Sequence, residues 1–251
     1  MNLKPYVGIT GFMSRQEVDD VLNAIPADFP RLLMVGVLVS SKTMQGIPNK
    51  WPNRYPSADK IAGIFLDHPL ALNLAHFNTK DPNELFDQMM EVTELGGKNF
   101  HGFQLNIKWP EPHTLWKYKQ KHPDKIIVLQ CGEGALEDVS CDPIVLASLA
   151  GNYEHLCEYL LVDPSGGLGK PLNPHKGLQY LEQLHARVNH MQFGIAGGLS
   201  PITLEDLMSP IWKVFPYTSI DAEGRLRDGN DNLNVGVAIN FIAKAHALFG
   251  N

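Results

Sequence analysis

From end to end of the sequence, short runs rich in Val, Ile, Leu and Phe alternate with longer stretches of helical spacing. Each apolar run stops at Gly, Asp, Asn or Ser, and the alternation does not break. Continuous apolar runs mark strands buried on both faces, which in practice means a parallel sheet covered by helices. The pattern predicts strands over Pro5–Thr10, Leu32–Ser40, Ala71–Phe77, Gly102–Ile107, Ile126–Cys131, Tyr159–Asp163, Gln192–Ala196 and Thr218–Asp221. It predicts helices over Ser14–Ala24, Ser57–Leu66, Pro82–Leu95, Glu111–Lys121, Pro143–Leu149, His175–Ala186, Thr203–Leu207 and Leu233–Leu248.

About eight strand–helix units in 251 residues is the rhythm of a (β/α)8 TIM barrel. An open doubly wound sheet is the competing α/β architecture. The barrel is favoured because the strands are short and a helix follows the final strand, as closure requires. Ser14 precedes Glu17 at capping-box spacing, and Asp81-Pro82 and Asp142-Pro143 each put an acidic cap before a first-turn proline. No low-complexity linker interrupts the chain, so residues 1–251 are read as a single domain.

Composition removes several function classes. The net charge of −6 and a pI near 5.9 do not suit a nucleic-acid binder. The longest apolar run, near Leu32 to Val39, is too short to cross a bilayer, and the N-terminus lacks the apolar stretch of a signal peptide. Cys131, Cys141 and Cys157 cannot all pair and match no zinc spacing, which points to a reducing compartment, the cytoplasm. No metal-ligand spacing and no need for a cofactor are evident.

In a barrel of this kind chemistry sits at the carboxyl ends of the strands. Leu161-Val162-Asp163 ends a strand at a carboxylate and runs into Gly166-Gly167-Leu168-Gly169-Lys170. A carboxylate there can act as general acid or base, or merely cap a turn. Ala196-Gly197-Gly198-Leu199 and Asp221-Ala222-Glu223-Gly224 end the seventh and eighth strands. Many barrels bind phosphate through loop amides at those two strands, and glycines let the amides converge. The segment from Ser40 to Pro56, with Lys42, Lys50 and Arg54, is long enough to serve as a lid.

These elements together resemble phosphoribosylanthranilate isomerase. Tyr6-Val7-Gly8-Ile9-Thr10 resembles that family's K-I-C-G-I-T first strand, and Asn53-Arg54-Tyr55-Pro56-Ser57 its S-x-R-Y-V-S segment. Phe103-Gln104-Leu105-Asn106 resembles its V-Q-L-H-G strand, Asp163 with Gly166 to Lys170 its L-L-D…G-G-T-G-K element, and residues 196–199 its A-G-G-L loop. Asp221 to Gly224 resembles its D-x-S-S-G loop, with Asp228 and Asp231 near the following K-D. The resemblance implies a TIM barrel that carries out an Amadori rearrangement of a phosphorylated aminoaldose, as in tryptophan biosynthesis. It implies Asp163 as general acid, Arg54 and Asn106 in contact with substrate, and Gly197, Gly198 and Gly224 around the phosphate.

The departures are as informative. Val7 stands where the family has its basic cysteine, Asn106 where it has histidine, Leu168 where it has threonine, and Glu223 where it has serine. Arg225 and Arg227 could offset the charge of Glu223. A replacement base is sought in Cys131, at the end of the fifth strand, or in His76, at the end of the third; Glu133 and Lys108 also lie within reach of the same end. Two readings follow: an isomerase-like enzyme isomerising or otherwise acting on a phosphorylated sugar-type molecule, or a barrel that has lost catalysis and serves as a phosphate-ligand-binding or scaffold protein. The oligomeric state is not legible.

Overall fold

The computed structural model describes residues 3–165 and 171–249; the predicted glycine-rich turn at 166–170, including Leu168, lies outside them. Eight strands follow in order: β1 (Tyr6–Thr10), β2 (Leu32–Ser40), β3 (Ala71–Asn78), β4 (Gly102–Leu105), β5 (Ile126–Cys131), β6 (Tyr159–Val162), β7 (Gln192–Ala196) and β8 (Ser219–Ala222). Every neighbouring pair is parallel, and β8 returns to β1 with Val7 opposite Ile220, so the sheet closes into a barrel. The α-helices are α1 (Arg15–Asn23), α2 (Ser41–Met44), α3 (Ile61–Ile64), α4 (Leu85–Gly96), α5 (Pro112–Lys121), α6 (Glu133–Asp138), α7 (Pro143–Ala150), α8 (Pro174–Arg187), α9 (Leu204–Trp212) and α10 (Val235–Phe249). The fold is a (β/α)8 TIM barrel.

Strand alternation separates two cores. Val7 and Ile9 of β1 point outward into the large layer between sheet and helices. Tyr6 points inward, joining Met34, Leu72, Leu74, Val128, Tyr159 and Leu161 in an apolar plug inside the barrel. Tyr6 and Tyr159 meet edge to face there, with ring centroids 5.2 Å apart. Above the plug, toward the carboxyl ends, the inward residues turn polar: Thr10, Gln104, Gln130 and Asp221 are all buried. Apolar filling below and polar side chains above leave the functional cavity at one end.

Local chemistry explains most helix starts. Ser14 and Glu17 form the predicted capping box, and Asp142 accepts from the amides of Ile144 and Val145 ahead of Pro143. The short helices α2 and α6 go beyond the sequence expectation, and two predicted helices differ in extent. The predicted Ser57–Leu66 helix is reduced to a 3-10 turn at Ala58–Lys60 and the four residues of α3, because Gly63 weakens it and the chain turns extended at Phe65. The predicted Thr203–Leu207 helix instead runs to Trp212 through Pro210, because Met208, Ile211 and Trp212 bury an apolar face that outweighs the proline.

Candidate active site

A cavity opens at the carboxyl ends of the strands, between His76, Asn106, Asp163 and Asp221 and the loops after β7 and β8. Its floor is a continuous chain of hydrogen bonds. The Thr10 hydroxyl lies 3.1 Å from Asp221 Oδ1. Gln104 Nε2 donates to Asp221 Oδ2 and to Gln130 Oε1, each at 2.9 Å. Gln130 Nε2 donates to Asp163 Oδ2 at 2.9 Å. Asp163 Oδ1 accepts from the Ser165 hydroxyl at 2.6 Å and from the Ser165 amide at 3.0 Å. Two carboxyl groups are thereby joined across the barrel by two amides.

The groups are not electrostatically alike. Burial pushes the Asp221 carboxyl up to about 7, with the charges of Glu223 and Asp163 adding to the effect, while the bonds from Gln104 and Thr10 oppose it. Gly8 makes room for it: a Cβ at that position would lie 2.7 Å from Asp221 Oδ1. His76 is buried with Nδ1 lacking a partner among the described residues, and burial lowers its pKa. At neutral pH its ring is therefore uncharged.

Gly197, Gly198 and Gly224 line the same cavity. Gly197 and Gly198 have φ of 127° and 63°, a backbone conformation that strains any other residue. Among the described residues, no acceptor engages the amides of Gly197, Gly198 or Gly224. Beside them, Glu223 accepts from Arg54 Nη1 at 2.7 Å, and Arg54 Nη2 reaches Asp231 at 2.6 Å. Past Asn106 and Gln130 the cavity continues into a groove bordered by Asn78, Thr79, Lys108 and Glu133.

Several expected residues stand elsewhere. Cys131 does not face the cavity: it is 1% exposed, packed in the outer core, and burial raises its pKa, so the thiol is a poor base. Val7 likewise faces the helices, so the inward positions of β1 are Tyr6, Gly8 and Thr10. Arg54 does not line the cavity but braces Glu223, which does. The Ser40–Pro56 segment is fastened across the barrel mouth, with Asn53 donating to the Asn230 carbonyl and Arg54 held by Asp231. Trp51, Trp109, Trp116 and Trp212 do not line the cavity.

Sequence reasoning passed over Asp221 as a site residue, and with it Thr10, Gln104, Gln130 and Ser165. The signal was present. Gln104 and Gln130 are polar residues inside otherwise apolar strands, which only a buried partner justifies.

Among the described residues, no group of His, Cys, Asp and Glu is placed to hold a metal ion, and no helix is long and apolar enough to cross a membrane. Fold and site define the class: a (β/α)8 barrel with a polar cavity at the carboxyl ends of its strands. Within that class the chain is similar in structure to phosphoribosylanthranilate isomerases. With the Thermus thermophilus enzyme the TM-score is 0.64 at 12% identity, over 97% of this chain and 99% of that one. With the Thermotoga maritima enzyme it is 0.63 at 17% identity, over 98% and 100%. A third, in complex with reduced 1-(o-carboxyphenylamino)-1-deoxyribulose 5-phosphate, gives 0.61 at 15%, over 98% and 100%. No protein-family model matches the sequence, and no curated protein matches it significantly. At these identities the likeness establishes the shared fold.

Proposed function

We propose that the protein is an enzyme that isomerises a phosphorylated sugar-type small molecule by proton transfer. The observation that carries this reading is the buried Asp163 in a cavity that also holds the glycine loops of β7 and β8. Positive-φ glycines with unengaged amides are suited to a phosphate. Asp163, bonded to Gln130 and Ser165, is held in one orientation toward the reacting carbons. His76 and Asn106 offer hydrogen bonds to the sugar hydroxyls, and the groove beyond Asn106 receives the part of the substrate remote from phosphate. The similar barrel in complex with an aminodeoxyribulose 5-phosphate derivative supports a ligand of this chemistry. No cofactor is invoked, and the unpaired Cys131, Cys141 and Cys157 are consistent with a reducing, cytoplasmic setting.

The test is turnover of phosphoribosylanthranilate and of a panel of aldose phosphates by wild type beside Asp163→Asn. We expect Asp163→Asn to lower kcat by about a hundred-fold or more while the fold is retained. Equal turnover by that variant removes Asp163 from the reaction. Phosphate binding without turnover on any member of the panel would establish the binding-only alternative.

A further inference from the structure

The buried carboxyl of Asp221 has no role in the reading above, yet it lines the cavity and is tied to Asp163 through Gln104 and Gln130. We infer that Asp221 and Asp163 act as a pair sharing one proton, Asp221 holding it in the resting protein and Asp163 open to receive one from substrate. The inference rests on the isomerase reading for its chemistry, but the pair itself does not depend on any substrate.

Hydrogen-bond partners set the two groups apart. Asp163 takes an amide N–H on one oxygen and a backbone N–H on the other, so both oxygens are committed as acceptors. Asp221 takes an amide N–H on Oδ2, while the Thr10 hydroxyl lies 3.1 Å from Oδ1 and 3.2 Å from Oδ2 and can accept as readily as donate. A proton on Asp221 Oδ1 therefore has a partner already in place. Tyr6 approaches Asp221 from β1, Asp163 from β6 and Glu223 from its own loop, and His76 of β3 lines the same cavity. On the cationic side Arg225 lines the cavity from the β8 loop, Arg227 is bonded to the Thr10 and Gly11 carbonyls, and Arg54 to Glu223 and Asp231. Two carboxylates close to a third negative charge cannot all ionise cheaply. Burial is the larger cause, keeping Asp221 protonated up to about 7.

For an aldose phosphate the steps balance. Asp163 removes the proton from C2, and the electrons of that bond form the C1–C2 double bond. The carbonyl electrons move to O1, which takes the proton of Asp221. Asp163 then returns its proton to C1, while the O2 proton passes to Asp221 as the C2 carbonyl forms. Both carboxyl groups regain their resting states, and no co-reactant is needed. An imine nitrogen in place of O1 gives the Amadori version. Asp221 projects over Gly8, so the second proton-transfer group enters from β8 beside the first strand.

The test is carbon-13 NMR of the full chain labelled at its aspartate carboxyls, titrated without ligand. Loss of a resonance in Asp221→Asn assigns it; should that variant not fold, Asp221→Glu removes it from the aspartate set equally. The pair predicts that the Asp221 signal titrates near neutral pH and that its midpoint falls in Asp163→Asn. Titration in the ordinary carboxylate range, or a midpoint indifferent to Asp163, overturns the pair whether or not the protein is active. On any substrate that wild type isomerises, Asp221→Asn should lower kcat about a hundred-fold or more with little change in KM. It should also abolish the fall in rate as pH rises past neutrality. Unchanged kcat overturns the donor role. A neutral-pH titration in a protein that turns over no substrate upholds the pair and overturns the isomerase reading instead.

Discussion

At the scale of single residues, position along a strand decides more than residue type. Cys131 and Gln130 are neighbours, yet one faces the helices and the other the cavity. The sequence marked Cys131 by its chemistry, but only the inward or outward sense of β5 shows that Cys131→Ala should leave turnover unchanged. Its cost is packing, on the order of 1 kcal/mol by urea unfolding. Asp221 gives a pH prediction whose sign can be worked out. Its carboxyl ordinarily titrates near 3.8 and in the folded protein is raised to about 7. Between those values the folded chain holds a proton that the unfolded chain has lost. The stability linked to that proton is complete below 3.8 and disappears as pH rises through about 7. Asp221→Asn should therefore flatten stability over this range and raise it at pH 8 by roughly 1–3 kcal/mol. Denaturation midpoints at pH 5 and pH 8 provide the check, and an unchanged slope would remove the carboxyl as its source.

At the scale of elements, strands and capped helices were legible because each is written locally: apolar runs for β2 and β5, the Ser14–Glu17 box for α1, Asp142-Pro143 for α7. The contacts that shape the barrel mouth were not, because their partners are far apart in sequence. Arg54 reaches Glu223 and Asp231 across 169 and 177 positions. It joins the segment after β2 to the loop after β8 and screens Glu223 beside the glycines of the cavity. Arg54→Met leaves that carboxylate bare. We expect inorganic phosphate to bind about ten-fold more weakly, with a loss of roughly 1–3 kcal/mol in stability for this half-buried pair. Glu223→Gln should strengthen phosphate binding, and calorimetric titration distinguishes the two. Gly11 is a second such place. Its φ is 99°, and a Cβ there would meet Arg227 Nη2 at 1.6 Å. Arg227 donates to the carbonyls of Thr10 and Gly11, pinning the β8 loop onto β1. Gly11→Ala should lower stability by about 2–4 kcal/mol, read from the midpoint of thermal unfolding.

At the scale of the molecule, the closed barrel was legible from rhythm and length, whereas the placement of its two carboxyl groups was not. Closure pairs the first strand with the last, so Thr10 and Asp221, 211 positions apart, come into hydrogen-bond contact. No local pattern encodes that meeting. The same closure predicts one cooperative unit: near- and far-ultraviolet dichroism should report a single coincident unfolding transition, and separate transitions would divide the chain into domains. Proton transfer on a phosphorylated sugar is tested most directly by deuterium incorporation from heavy water. Phosphoribosylanthranilate and aldose phosphates are incubated with wild type or Asp163→Asn, and the recovered sugars are examined by mass and proton spectra. We expect one deuteron at C1 of the ketose product, or at C2 of the recovered aldose, for at least one compound, with wild type alone. A folded, phosphate-binding wild type that leaves every compound both free of deuterium and unisomerised contradicts proton transfer.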